Sequence, residues 1–250
     1  SRKSGTEQAK GKYIQYLDSD DFLQENAIEY LTDKAEATNA EVVAAPFFFY
    51  YSENKMDISG HFSFQEMTGM EYFNEILSGR AYWSVWSNFL SRSLFERNDI
   101  SFVPEISFGE DAILMVQLLY HTQKVVALEQ PILYYRQIES SICHDITPKR
   151  HEDLRTYTKW IERFMIEKGL YESYRNNLIL KNIEMAFLCM HWGYYENADK
   201  DMKRIVKDIK KRPQLLKCLP GRQRKIIKVY RFSSWLGFLN LMHYKKQGKL

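Results

Sequence analysis

At 250 residues with 45% hydrophobic content, the chain has enough apolar material to bury a core, which excludes a disordered polypeptide. The net charge of +3 hides a division: residues 200–250 carry 16 Lys and Arg against 2 Asp, a balance of +14 that leaves the preceding residues at −11, so an anionic surface such as membrane headgroups or nucleic acid suits that end. Three cysteines (Cys143, Cys189 and Cys218) form no CxxC pair, which excludes a cysteine metal site and reads as a reducing compartment; the apolar run "FSSWLGFLNLM" at 232–242 is shorter than the roughly 18 residues that span a bilayer.

In chain order, "SRKSGTEQAK" followed by Gly11 predicts a helix with a glycine stop, and "KYIQYLD" then predicts a buried strand. No signal peptide follows Ser1, and a helix-to-strand opening implies earlier strands upstream. Helical spacing covers 25–37 through Ala27, Ile28, Leu31 and Ala35. "EVVAAPFFFYY" at 41–51 reads as one strand, with Pro46 arguing for a sheet edge.

"TGMEYFNEILSG" is a short helix opened by Thr68 and Glu71 at capping-box spacing and stopped by Gly79. An irregular aromatic stretch, "AYWSVWSNFL", follows. "EDAILMVQLLYHT" is apolar almost all round, the mark of a buried helix, and "KVVALE" and "PILYYR" close this part as strands. From about residue 148 long helices take over, so the domains read as 1–147 and 148–250, with the boundary near Ile146 to Pro148.

The chemistry lies in two acidic groups. "YIQYLDSDDFL" at 13–23 is an apolar run ending on Asp18, Asp20 and Asp21. In an extended backbone Asp18 and Asp20 share a face, half of a site for Mg²⁺ or Mn²⁺, which one or two carboxylates hold with phosphate oxygens completing the shell. Asp and Ser also form turns and caps, so the run alone does not choose. An EF-hand starting at Asp18 is excluded by Phe22 and Leu23, which stand where an oxygen ligand and a glycine belong. The second group, "SFGEDAILM", opens the buried helix with Glu110 and Asp111, where the helix dipole favours an ionised carboxylate by roughly 0.3–1 kcal/mol. An ionised carboxylate there suits a general base for a hydroxyl group, although acids are common at helix N-termini.

In this order "SRKSGTEQAKGKYIQYLDSDDFL", "VWSNFLSRSLFERNDISF" and "FGEDAILMVQLLYHTQKVVALEQPILYYRQIESSI" resemble the family 2 inverting glycosyltransferases of the GT-A fold, particularly the bacterial enzymes of capsule, exopolysaccharide and wall polymer synthesis. The resemblance covers residues 1 to about 143. It implies an α/β GT-A domain lacking its first βα units, followed by a helical extension.

It also implies roles. Asp18 and Asp20 form the DXD metal motif, with Asp18 near the nucleotide ribose and Asp20 on an Mn²⁺ or Mg²⁺ that bridges the diphosphate. Asp111 is the base. Glu110 orients acceptor or donor sugar. Arg2, Asp21 and Arg136 join Asp18 in binding the nucleotide-sugar, expected to be a UDP-sugar, and Trp86, favoured over Trp83, stacks on the acceptor; His144 is a further candidate metal ligand. The chain departs from the family pattern at Lys3, where asparagine is usual, and at Glu139, where glycine often precedes Ser140.

The implied reaction moves a sugar to a saccharide or lipid-linked acceptor by a single displacement, in the cytoplasm or at the inner face of the cell membrane. Haloacid dehalogenase-like phosphatases share an Asp-x-Asp after a first strand but continue with Thr or Val where this chain has Phe22. A non-catalytic fragment or membrane-surface module is a third reading. Residues 200–250, mixing Lys and Arg with Leu, Ile, Trp and Phe, suit peripheral contact with an anionic membrane, and no nucleic-acid module matches.

Overall fold

The computed structural model describes residues 2–103, 106–137 and 147–246. It divides into two compact units, Ser1–Asp145 and Ile146–Leu250.

The first unit carries two sheets. Helix α1 (Arg2–Gln8) leads into strand β1 (Tyr13–Ile14), β2 (Phe22–Leu23), helix α2 (Ala27–Thr38), β3 (Val42–Ala44), β4 (Phe48–Ser52), β5 (Lys55–Ile58) and β6 (Glu66–Met67). Then come α3 (Gly69–Leu77), β7 (Asn88–Ser91), α4 (Ser93–Glu96), α5 (Glu110–His121), β8 (Val125–Ala127) and β9 (Leu133–Arg136). One sheet has the order β1-β7-β3-β8-β6 and the other β2-β9-β4-β5. Within them β3 pairs parallel with β8 and β4 parallel with β9, the other ladders being antiparallel. The sheets are therefore mixed, and β3 and β8 are apolar and buried throughout, as strands covered on both faces must be.

Three expectations are corrected here. The strand in "KYIQYLD" stops at Ile14, because Gln15 turns its amide to the carbonyls of Tyr16 (2.8 Å) and Trp86 (2.6 Å). The run "EVVAAPFFFYY" is two strands in different sheets, and neither lies at an edge: β3 sits between β7 and β8, and β4 between β9 and β5. Pro46 has no N–H to give a ladder and occupies the crossing between them, where its carbonyl accepts the Ile132 N–H at 3.0 Å. The stretch taken as irregular holds a 3₁₀ turn (Val85–Ser87) and β7, all four residues of which are buried.

The core sits between these sheets and α2, α3 and α5. Leu31, Tyr72, Phe73, Leu90, Met115, Leu118 and Leu119 have no exposed surface. The capping box at α3 forms as expected: the Thr68 hydroxyl accepts the Glu71 N–H at 3.3 Å, and the Glu71 carboxylate accepts the Thr68 N–H at 2.7 Å. Gly69 lets α3 approach α5 closely, since a Cβ there would lie 2.0 Å from the Leu119 carbonyl oxygen.

The second unit is helical: α6 (Pro148–Glu167), α7 (Tyr171–His191), α8 (Tyr195–Lys211), a 3₁₀ segment (Pro213–Cys218), α9 (Gly221–Phe232) and α10 (Ser234–Lys246). Thr147 caps α6 by accepting the Arg150 N–H at 3.2 Å, with Pro148 in the first turn where its missing donor costs nothing. Ile183, Met190, Met202, Ile209 and Ile226 form its fully buried centre. Among the described residues no helix is long and apolar enough to cross a membrane.

Candidate active site

One guanidinium gathers the acids. From the first residue of α1, Arg2 reaches Asp18 Oδ1 with Nη2 at 3.1 Å, and with Nη1 reaches Glu110 Oε1 at 2.5 Å and Asp111 Oδ1 at 3.0 Å. Residues 16 and 108 positions away in sequence thus meet at a single side chain. Burial works against the Arg2 charge, but attraction from Asp111, Asp18 and Glu110 outweighs it and holds its pKa above the ordinary arginine value.

Asp111 lies in the first turn of α5, positioned by Gly109 at φ 88°, a left-handed conformation that suits glycine. Its Oδ2 accepts the Val85 N–H at 3.1 Å. Its Oδ1 is buried and, although 3.0 Å from Arg2, lacks hydrogen-bond geometry to any partner among the described residues. Burial pushes the carboxyl up to about 7, with Arg2 and the Val85 N–H opposing and Glu110 and Asp18 adding to the rise.

Burial thus works against the expectation that the helix end keeps this group ionised. A rise from 3.8 to about 7 corresponds to roughly 4 kcal/mol, several times the 0.3–1 kcal/mol of a helix terminus. Desolvation wins, and the carboxyl is poised to exchange a proton near neutrality.

The Asp18–Asp21 segment is a turn closed by the Asp21 N–H on the Asp18 carbonyl at 3.1 Å, so the alternation expected of an extended backbone does not apply. Asp18 faces Arg2. Asp20 is half-buried in the turn. Asp21 is buried, and its Oδ1 accepts the Arg136 N–H at 2.9 Å, tying the turn to β9. Burial raises its pKa to about 6, opposed by that N–H and reinforced by Asp20 and Asp18. The Arg136 guanidinium lies over the Phe22 ring at 5.1 Å.

The residues fit a hard divalent cation by chemistry. Asp18 and Asp20 offer carboxylate oxygens in a partly exposed turn, and the Asp21 Oδ2 beside them is buried without a hydrogen-bond partner among the described residues. No group of three or more His, Cys, Asp or Glu among the described residues is disposed to hold a metal; an ion held by Asp18 and Asp20 would need further ligands such as phosphate and water, as Mg²⁺ commonly has.

Other expectations fare differently. Trp86 is only 7% exposed, its ring stacked on Tyr135 at 5.1 Å and edge-on to Phe47 at 4.7 Å. These aromatic neighbours leave Trp86 little surface for a sugar ring. Trp83 is half-buried against Phe73. His144 lies outside the described residues.

Sequence reasoning did not find the cleft beside the acids. It measures about 360 Å³, with Phe102, Ile106 and Leu114 on its apolar wall and Arg2, Lys3 and Glu110 on its polar one. Nor did it find the Val85 N–H, a backbone group that leaves no sequence signal.

Comparison with known proteins places the chain near glycosyltransferases. The glycosyl transferase family 2 model matches residues 1–100. The uncharacterized glycosyltransferase EpsJ of Bacillus subtilis is 24% identical over 218 residues, covering 84% of this chain and 63% of EpsJ. The cholesterol galactosyltransferase of Borreliella burgdorferi is 25% identical over 187 residues, covering 70% of this chain and 51% of that protein. The crystal structure of S. aureus TarS 1–349 in complex with UDP-GlcNAc superposes with a TM-score of 0.55 at 12% identity, covering 99% of this chain and 71% of that one.

The class is therefore a mixed α/β fold of the GT-A kind with a helical C-terminal region. Residues 1–100 match glycosyl transferase family 2, and the chain is similar to bacterial glycosyltransferases such as EpsJ. The phosphatase reading gives way to this match. The chain spans between half and two thirds of the length of the curated relatives just described.

Proposed function

We propose that this chain carries the metal motif and general base of a glycosyltransferase that moves a sugar from a nucleotide-diphosphate sugar to a hydroxyl of a saccharide or lipid-linked acceptor in bacterial surface polymer synthesis. One observation carries the reading: Arg2 brings the DXD turn and the buried carboxyl of Asp111 into one cluster. The donor is proposed as a UDP-sugar because the structurally similar TarS binds UDP-GlcNAc.

Asp18 and Asp20 would hold Mn²⁺ or Mg²⁺, which when bound supplies positive charge for the diphosphate. Deprotonated Asp111 accepts the proton of the acceptor hydroxyl. The hydroxyl oxygen bonds to the anomeric carbon as the bond from that carbon to the phosphate oxygen breaks, and the electron pair leaves with the nucleoside diphosphate. Glu110 and Arg2 hold the charge balance around Asp111, and Arg2, once a diphosphate is present, has an anion to share. The cleft walled by Phe102 and Leu114 next to Glu110 offers room for the acceptor.

Release of nucleoside diphosphate from a panel of UDP-sugars, with saccharide and lipid-linked acceptors, tests this. Asp111→Asn should lower transfer by about 10²–10⁴-fold and leave donor affinity within about twofold. Near-normal turnover by that variant would remove Asp111 from the role, and absence of any donor-dependent transfer by the wild type would favour a non-catalytic chain.

A further inference from the structure

The end of the second unit carries an apolar surface with a distinct rigid support. Helix α10 is pinned to α9 on one side: a Cβ at Gly237 would lie 2.4 Å from the Tyr230 ring, and Leu241 is fully buried. Tyr230, itself buried, hydrogen-bonds Asp199 at 3.2 Å, which fixes the pair to α8. The opposite side of α10 points outward. Trp235 (67% exposed), Leu236 and Leu239 stand at i, i+1 and i+4, and Phe232 (86% exposed) ends α9 three residues before Trp235.

Large apolar side chains exposed together on a framework that already has a buried side mark an interaction surface. The flanking charge says of what kind. After Asp208 the chain contains 12 Lys and Arg and no Asp or Glu. On α9, Lys225 and Lys228 are exposed and share the helical face that ends in Phe232, since 225, 228 and 232 are three and four residues apart. A protein partner with acidic rim residues would meet such a patch at discrete points, whereas aromatic and aliphatic tips bordered by lysines match the layering of a bilayer interface, with apolar groups below the headgroups and cations at phosphate level.

We propose that Phe232, Trp235, Leu236 and Leu239 form a membrane-insertion wedge, and that Lys225 and Lys228 select anionic phospholipid, seating α10 in the plane of the interface. With 13 residues, α10 lies on the surface and does not cross it. The inference stands apart from the catalytic proposal, and its test needs no turnover.

The test is flotation of the full chain with vesicles of phosphatidylcholine alone or with 30% phosphatidylglycerol, beside the triple variant Phe232→Ser, Trp235→Ser, Leu239→Ser and the double variant Lys225→Glu, Lys228→Glu. All five positions are solvent-exposed, so both variants should keep the wild-type melting temperature. The wild type should float with the anionic vesicles, with partitioning at least tenfold lower on phosphatidylcholine and in each variant. Brominated phosphatidylglycerol should quench wild-type tryptophan fluorescence, and Trp235→Phe should lose that quenching. Flotation unchanged in the triple variant would overturn the wedge. So would no flotation on anionic vesicles, whether the wild type instead bound an RNA oligonucleotide or sedimented as a dimer that the triple variant dissolved.

Discussion

Charges in the two units are arranged on different terms. In the helical unit single cations meet one or two acids in ion pairs, within an overall excess of cations: Arg175 meets Glu172 at 2.7 Å and Asp208 at 2.9 Å, Arg204 meets Glu162 at 2.9 Å, and Arg155 meets Asp201 at 3.5 Å. In the α/β unit one guanidinium faces three carboxylates, one of them buried with an oxygen that lacks a hydrogen bond among the described residues. The first arrangement joins helices. The second is electrostatically incomplete, and it is completed by a proton on Asp111 or by a ligand, which is how functional sites depart from the local consistency of the rest of a fold.

Substitution should break this contrast most visibly at Asp111. Asp111→Asn should lower transfer by about 10²–10⁴-fold, the range of a lost general base, measured as product formed at saturating donor. Arg2→Met should cost about tenfold or more and also move the pH profile. Arg2 lowers the Asp111 pKa, so its loss should displace the acid limb of kcat/KM to higher pH, whereas Glu110→Gln, removing a group that raises it, should displace the limb to lower pH.

Stability should respond with the opposite sign. The folded pKa of Asp111 lies above its unfolded value, so its contribution is fully present below about pH 4 and is lost as pH rises through about 7. Asp111→Asn should therefore stabilise the protein at pH 8.5 by up to about 4 kcal/mol and have little effect at pH 4, read from urea melts at the two pH values. In the helical unit Arg204→Ala, breaking a partly exposed pair, should cost only about 0.2–1 kcal/mol; double-mutant cycles with Glu162→Ala would isolate that term.

Much of this was legible in the residues, and the reasons for the remainder are physical. Helix α5 was readable because its apolar residues surround it, and α3 because its cap pairs Thr68 with Glu71 three residues on. Strand β7 was not, since Asn88 and Ser91 break its apolar pattern; both are buried, and Asn88 Nδ2 is satisfied by the Ser84 carbonyl at 2.8 Å. Both acidic groups were visible as sequence. Their meeting through Arg2 was not, because an ion pair across 108 positions leaves no local periodicity. The turn at Asp18–Asp21 is hidden in the sequence because the apolar letters before it run on past the last ladder bond.

The central claim is that a buried Asp111, held near Arg2, accepts the acceptor proton. Its most direct test is the pH dependence of kcat/KM for transfer by the wild-type protein. An acid limb with its inflection at about 7 is the predicted result; activity that stays level down to the ordinary carboxylate range near 4 would contradict it.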